Sequence, residues 1–266
     1  MDPDARKKLF FRIRVAVLLF ILFVVVLYAI RDFRSRRARN EWDHTLAVAV
    51  VLIRDGDVDA ASVEALRARA PALRDRLEAE MQRYRAGPAP FTFRVLGPIA
   101  GVPRAPEPQG DGPIDLGKQA LALSSWLRDV DPKAGVNPDL FDSRIYVRIK
   151  PPTGDAREFV EGRSEENGRV GFVDVDLDAE MVDIALCVVA HELMHTLGAT
   201  DRYDAAGRTL IPDGLGEPER VPLYPQRFFE VMARNRVVAP GHEQPPDTLD
   251  QLAVGRITAH EIGWQR

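Results

Sequence analysis

Among 266 residues there is a single cysteine, Cys187. No intrachain disulfide can form, and a zinc site built from several thiolates is excluded. Histidine is scarce as well, with five residues in the whole chain. Neither sign of charge dominates: 36 Lys and Arg against 40 Asp and Glu leave a net charge of −4. That balance offers no basic footprint, so no nucleic-acid partner is expected. Internal repeats are absent, and only the amino-terminal region carries a long apolar run. What remains is an ordinary globular mixture, 45% hydrophobic and 29% charged, long enough to bury a sizeable core.

The apolar run is "VAVLLFILFVVVLYAI", Val15 to Ile30, 16 residues without a charge. As a helix it reaches about 24 Å, short of a hydrocarbon core of roughly 30 Å. Arg12 and Arg14 can snorkel and lengthen the span. A cleaved signal peptide is the rival reading, but no small-x-small cleavage site follows; "LYAIRDFRSRR" does. Residues 1–40 are therefore expected to be a retained single-pass membrane anchor with a basic flank, touching lipid through residues 9–30. Arg6, Lys7, Lys8, Arg12 and Arg14 precede the apolar centre, and Arg31, Arg34, Arg36, Arg37 and Arg39 follow it. The positive-inside count is a tie. A short amino-terminal tail left in the cytoplasm would place the remainder on the extracytoplasmic side.

Residues 41–266 read as one α/β (α+β) domain. "TLAVAVVLI", Thr45 to Ile53, is a valine-rich run closed by "RDGD", the mark of a buried strand. Ala60 to Arg85 reads as helix: Val63, Leu66, Ala70, Leu73, Leu77, Met81 and Tyr84 fall on one face. Pro71 inside it either kinks the helix or opens a second one. "FTFRVLG", Phe91 to Gly97, reads as a strand, and strand-helix-strand implies a parallel pair. Gly97 to Pro113 is rich in proline and glycine and reads as a loop within the domain. Asp115 is expected to cap a helix to about Asp129, with Leu116, Ala120, Leu123 and Leu127 on one face. "SRIYVRIK", Ser143 to Lys150, alternates as a strand, and "REFVEGRSEENGRVGFVDVDL" reads as two strands around a polar turn at Glu165 to Gly168. Its second strand, "GRVGFVDVD", is expected to be a sheet edge open to an extended peptide. Asp178 is a plausible cap for an apolar, buried helix from about Ala179 to Leu197.

That helix carries the chemistry. In "AHELMHTLGATDRYD", Ala190 to Asp204, His191 and His195 stand four apart, on one helix face, and can aim both imidazoles at one zinc ion. Glu192 lies beside them, where a carboxylate can take a proton from metal-bound water. Gly198 permits a positive φ and a sharp exit from the helix, and the turn would return Asp201 as a third ligand. Asp204, Asp213, Glu217 and His242 are the other candidates for that third place. Cys187, one turn before His191, reads as a packed small residue. His44, His242 and His260 read as structural or solvated, and Trp264 as a core anchor for the last helix.

"HELMHTLGATD" resembles the extended zinc motif of the metzincin metalloproteases, in the variant with aspartate as third ligand. "FFEVMARN" resembles the family's Met-turn and supplies Met232. "DRYD" is similar to a segment of secreted bacterial zinc proteases, and "LDQLAVGRITAHEIGW" resembles the family's carboxy-terminal helix. The resemblance implies a twisted mixed sheet with an active-site helix, a catalytic zinc on His191, His195 and Asp201, Glu192 as general base, Gly198 and Met232 in structural roles, and a protein or peptide substrate. Many members carry a tyrosine two residues after the methionine; here Arg234 stands there, so no role of that tyrosine carries over. No pro-segment cysteine exists, so thiol-switch latency is not implied. The expected function is that of a membrane-anchored zinc endopeptidase. The alternative is a membrane-tethered binding or assembly module that retains zinc without catalysis. Structural zinc sites usually fill four protein positions, and only three good ligands are found here.

Overall fold

The computed structural model of the chain describes residues 3–107, 110, 112–152, 162–164 and 168–265. It divides into two compact units, Met1–Glu41 and Trp42–Arg266. The first is a single helix, α1, Pro3–Arg39. Within it Phe11–Arg31 is long and apolar enough to cross a membrane, and none of its described side chains is buried against protein.

Among the described residues the second unit is built on a five-stranded sheet. Its strands are β1 (Leu46–Arg54), β2 (Phe91–Ala100), β3 (Ser143–Lys150), β4 (Gly162–Ser164) and β5 (Val170–Asp176). They lie in the order β2-β1-β3-β5-β4. All neighbours run parallel except β4, which is antiparallel to β5. Strand β1 sits second from one edge and is buried on both faces, which is why its sequence reads as a continuous apolar run. Val48, Val50 and Leu52 point to one side of the sheet, and Ala49, Val51 and Ile53 to the other.

The first side is the larger core. It receives α2 (Ala60–Gln82) and α4 (Val182–Thr196). Helix α2 runs unbroken through Pro71, capped at its start by the Asp59 carboxylate on Ala61 N–H. It buries Val63, Leu66, Ala70, Leu73, Leu77 and Met81, the face its spacing predicts. On the other side lies α3 (Pro113–Lys133). The cluster there holds Trp126 and Val130 against Tyr146, with Phe172 packed beside them.

Several expectations need correction. Strand β2 continues past Gly97 to Ala100, so the irregular loop is shorter than Gly97 to Pro113. Helix α3 starts at Pro113 with Gly112 as its cap, and Leu116 and Ala120 are exposed. Its buried face lies in the second half, on Trp126 and Val130, because only that half reaches the sheet. Helix α4 begins at Val182; Asp178 caps the preceding turn, accepting from Glu180 and Met181 N–H. Strand β5 is not an edge: it pairs with β3 on one side and β4 on the other. Among the described residues the edge is β4, and the earlier part of the expected hairpin strand lies outside them.

After α4 the chain is largely irregular. Short strands β6 (Phe229–Glu230) and β9 (Leu252–Ala253) pair in parallel, and β7 (Arg236–Ala239) pairs antiparallel with β8 (His242–Gln244). The segment from Leu249 to Trp264 is not one helix. It comprises a 3-10 turn, β9 and the six-residue α5, Arg256–Glu261. Trp264 is buried, edge-on to Trp42 at 5.7 Å, and the Trp42 indole N–H donates to Ile262 O at 2.7 Å. Both ends of the second unit are thereby pinned into one core.

Candidate active site

Helix α4 buries nearly every residue, polar ones included: His191 and Glu192 are both enclosed. Its four-residue spacing brings the two imidazoles together, with Nε2 atoms 3.1 Å apart and ring planes perpendicular. At Gly198 the backbone takes φ +97°, a conformation closed to most side chains, and the chain leaves the helix. Three residues later Asp201 Oδ1 lies 3.3 Å from His191 Nε2 and 3.1 Å from His195 Nε2.

The outer nitrogens fix the tautomers. His191 Nδ1 donates to Val231 O at 2.9 Å, and His195 Nδ1 donates to Ala199 O at 2.8 Å. Each neutral ring then presents a bare Nε2 lone pair inward. Two such lone pairs and a carboxylate oxygen facing one another repel unless a positive charge sits among them. Ligand atoms about 2.0–2.1 Å from a tetrahedral zinc would be roughly 3.3 Å apart, so the three separations suit that ion. Two imidazole nitrogens and one carboxylate oxygen are also donors that zinc accepts. Burial works to raise Asp201; when a proton on the imidazoles takes the place of the ion, the Nε2–H groups donate to the carboxylate, outweigh burial and hold the carboxyl well below its ordinary range. Burial likewise works to lower His195, and the contact with Asp201 and the charge of Glu192 outweigh it, raising the imidazole.

Glu192 has ligand-capable atoms within 4.8 Å of both histidines. Its carboxylate is engaged elsewhere, however. Ser164 Oγ, on the edge strand β4, donates to Glu192 Oε2, and it lies 3.3 Å from Glu192 O. The other oxygen faces Gly162, where a Cβ would stand only 2.1 Å from Glu192 Oε1. Burial raises the Glu192 carboxyl above its ordinary range, against the pull of His191 and Ser164. Gly162→Ala should therefore push the carboxylate aside. If Glu192 handles the proton, kcat/KM should fall by more than about ten-fold, with unfolding temperature and metal content little changed. Unchanged turnover in steady-state assays would show that this close approach does not matter.

The other third-ligand candidates are placed away from this point or held by other partners. Asp204 accepts from Arg208 and from Ala206 N–H. Glu217 is bound by Arg227 and Arg220. Asp213 is exposed, and His242 is exposed with Nδ1 3.2 Å from Pro240 O. His44 and His260 are exposed too, and Cys187 is a fully enclosed thiol whose pKa burial pushes up.

Met232 is fully buried directly after Val231, the residue that accepts from His191. Its carbonyl accepts from Arg202 N–H at 2.9 Å, joining the Met232 turn to the loop that carries Asp201. Arg234 lies over the Tyr203 ring at 5.5 Å, and that ring stacks at 6.2 Å on His191.

Two acids not anticipated from sequence, the half-buried Glu261 and the fully buried Glu230, brace the site. Glu261 on α5 accepts from Thr200 N–H and Thr200 Oγ1 and pairs with Arg202 at 2.6 Å, gripping the residues on either side of Asp201. Glu230 accepts from Met232 N–H at 2.5 Å, Gly255 N–H at 3.0 Å and Thr258 Oγ1 at 2.7 Å. Burial raises Glu230, and these three donors pull it back. Glu230→Ala would leave three enclosed donors without an acceptor. The expected loss is about 3–5 kcal/mol, hence a fall in Tm on the order of 10 °C by calorimetry. A change within a degree or two would mean that water or neighbouring groups replace the carboxylate.

No protein-family model matches the chain, and no curated protein matches it. Solved structures do. Archaemetzincin from Methanopyrus kandleri is 17% identical with a TM-score of 0.28, over 59% of this chain and 76% of that one. Archaemetzincin from Archaeoglobus fulgidus, complexed with malonate, is 12% identical with a TM-score of 0.35, over 82% of this chain and the whole of that one. OgpA from Akkermansia muciniphila is 15% identical with a TM-score of 0.37, over 83% of this chain and 60% of that one. Likeness at this level transfers no residue's role, and the chemistry stands on the side chains above.

Proposed function

We propose that this chain is a membrane-anchored, zinc-dependent endopeptidase of the metzincin kind. His191, His195 and Asp201 would hold the metal and Glu192 would act as general base. The observation that carries this reading is the meeting of two oriented imidazoles and one carboxylate at 3.1–3.3 Å, with a second, separately held carboxylate beside them. Zinc bound in such a site supplies Lewis acidity, lowering the pKa of water and polarising a carbonyl.

The protein's own groups supply the rest. Glu192 takes a proton from the attacking water and passes it to the leaving amine; burial brings its proton affinity nearer to what that exchange requires. Ser164 holds one of its oxygens, and the absence of a side chain at Gly162 leaves room for the other. The edge of β4, which carries that hydroxyl and is unpaired among the described residues, offers backbone N–H and C=O groups to an extended peptide. This takes over the role first expected of β5. An anionic third ligand leaves zinc slightly less electrophilic than three imidazoles would, so proton handling by Glu192 gains weight.

Anchoring is part of the same proposal. The apolar side chains of Phe11–Arg31 are exposed along the helix, which suits lipid contact. With it we place the amino terminus in the cytoplasm and the catalytic unit on the extracytoplasmic side. The test is metal analysis of the full chain purified in detergent, paired with a peptide-library digest. One zinc per chain and defined cleavage products are expected. Stoichiometric zinc with no peptide cut would favour the non-catalytic module instead.

A further inference from the structure

On the face of the sheet away from α4, behind the edge strand, lies a cavity of about 240 Å³. Its floor is aromatic: Trp126 packs edge-on to Tyr146 at 5.1 Å and to Phe172 at 5.6 Å. Arg104, Arg148 and Arg163 contribute to its walls, against the two acids Glu107 and Asp174. Arg148 is accounted for structurally, since it donates to Val102 O and Pro103 O and ties that loop to the sheet. The Asp174 carboxylate is spread thinly, with Lys150 at 3.3 Å, Arg104 at 3.7 Å and Arg148 at 3.9 Å. Arg163 has no carboxylate partner among the described residues. Its guanidinium lies over the Phe172 ring at 5.4 Å and donates to Pro106 O at 3.2 Å.

Strand alternation links this cavity to the proposed active site. Ser164 and a Cβ built at Gly162 both point to Glu192, whereas Arg163 between them points to the cavity. A peptide added to the edge of β4 that is unpaired among the described residues must alternate in the same way. The residue opposite Arg163 sends its side chain to the cavity side, and its two neighbours face the metal side. Directly opposed Cβ atoms on paired strands lie about 4.5–5.5 Å apart, so that side chain lies beside Arg163. A carboxylate there meets a guanidinium that has no acidic partner among the described residues, and a lysine meets like charge.

We propose that this cavity is a subsite for one acidic side chain of a bound extended peptide, with Arg163 as the specificity-determining residue. The aromatic floor accommodates the methylenes of glutamate, so glutamate should exceed aspartate. This rests on the peptidase reading for the direction from which the peptide arrives.

The experiment uses the full chain in detergent, carrying Glu192→Gln so that bound peptides stay intact. Fluorescence anisotropy follows extended peptides in which one position at a time is Glu, Gln or Lys. At one position Glu should bind roughly five-fold more tightly than Gln, and Lys more weakly than Gln. Arg163→Gln should erase that difference, Arg163→Lys should keep part of it, and Arg163→Glu should turn the preference toward Lys. No position with a Glu preference, no binding of any peptide, or a preference that survives in Arg163→Gln would each overturn the subsite. A preference that depends on Arg163, in a chain whose unaltered form cuts none of these peptides, would uphold the subsite and overturn the peptidase reading. Cleavage by the unaltered chain without a preference in the Arg163 set would do the reverse.

Discussion

Replacing Glu192 by glutamine should reduce kcat/KM about 10²–10⁴-fold while zinc stays bound, the range typical for loss of a positioned acid–base group. Glutamine has nearly the same shape and can still accept from Ser164 through its amide oxygen, so the fold should hold. It cannot take up a proton. The result separates the two functions first considered. An enzyme loses cleavage and keeps its metal, while a tethered assembly module keeps whatever it does. Equal turnover by the variant, measured on a peptide that the unaltered chain cuts, would move the base to another residue.

Asp201→Ala should have the second large effect, weakening zinc binding by at least about 100-fold. Changes to groups that only orient metal ligands already cost 10–100-fold, and loss of a direct ligand should cost more. Competition against a chelator of known affinity reads this directly. Asp204→Ala, Asp213→Ala, Glu217→Ala and His242→Ala should leave the affinity unchanged, since those side chains are exposed or tied to arginines and backbone. If one of them, and not Asp201, removed the metal, the placement of Asp201 between the imidazoles would be coincidental.

These expectations differ in how far they could be read from sequence. The meeting of His191 and His195 follows from local geometry alone, because a four-residue step on a helix places two side chains on one face. The turn at Gly198 is equally local, since positive φ favours glycine. Buried strands such as β1 and β3 announce themselves by apolar runs and alternation. Partnerships that form across the fold carry no such signal. Ser164 reaches Glu192 from 28 residues away and Glu261 reaches Thr200 from 61, and no periodicity marks either pair. Edge status is hidden in sequence for a similar reason. Whether β5 is free depends on β4, a described strand of three residues too short to stand out. Helix α3 misled differently: its apolar residues suggest one buried stripe, but only its second half lies on the sheet.

The bracing of the histidines has a consequence for biosynthesis. A nascent chain that has emerged only as far as α4 already holds both imidazoles and the neighbouring acid. The carbonyl that sets the His191 tautomer is translated 40 residues later, and the carboxylate gripping the flanks of Asp201 is 61 residues beyond Thr200. Until those segments fold back, the rings are free to rotate and the third oxygen has no fixed station. Assembly of this centre thus waits on segments made long after α4 itself, Val231 and Glu261 among them.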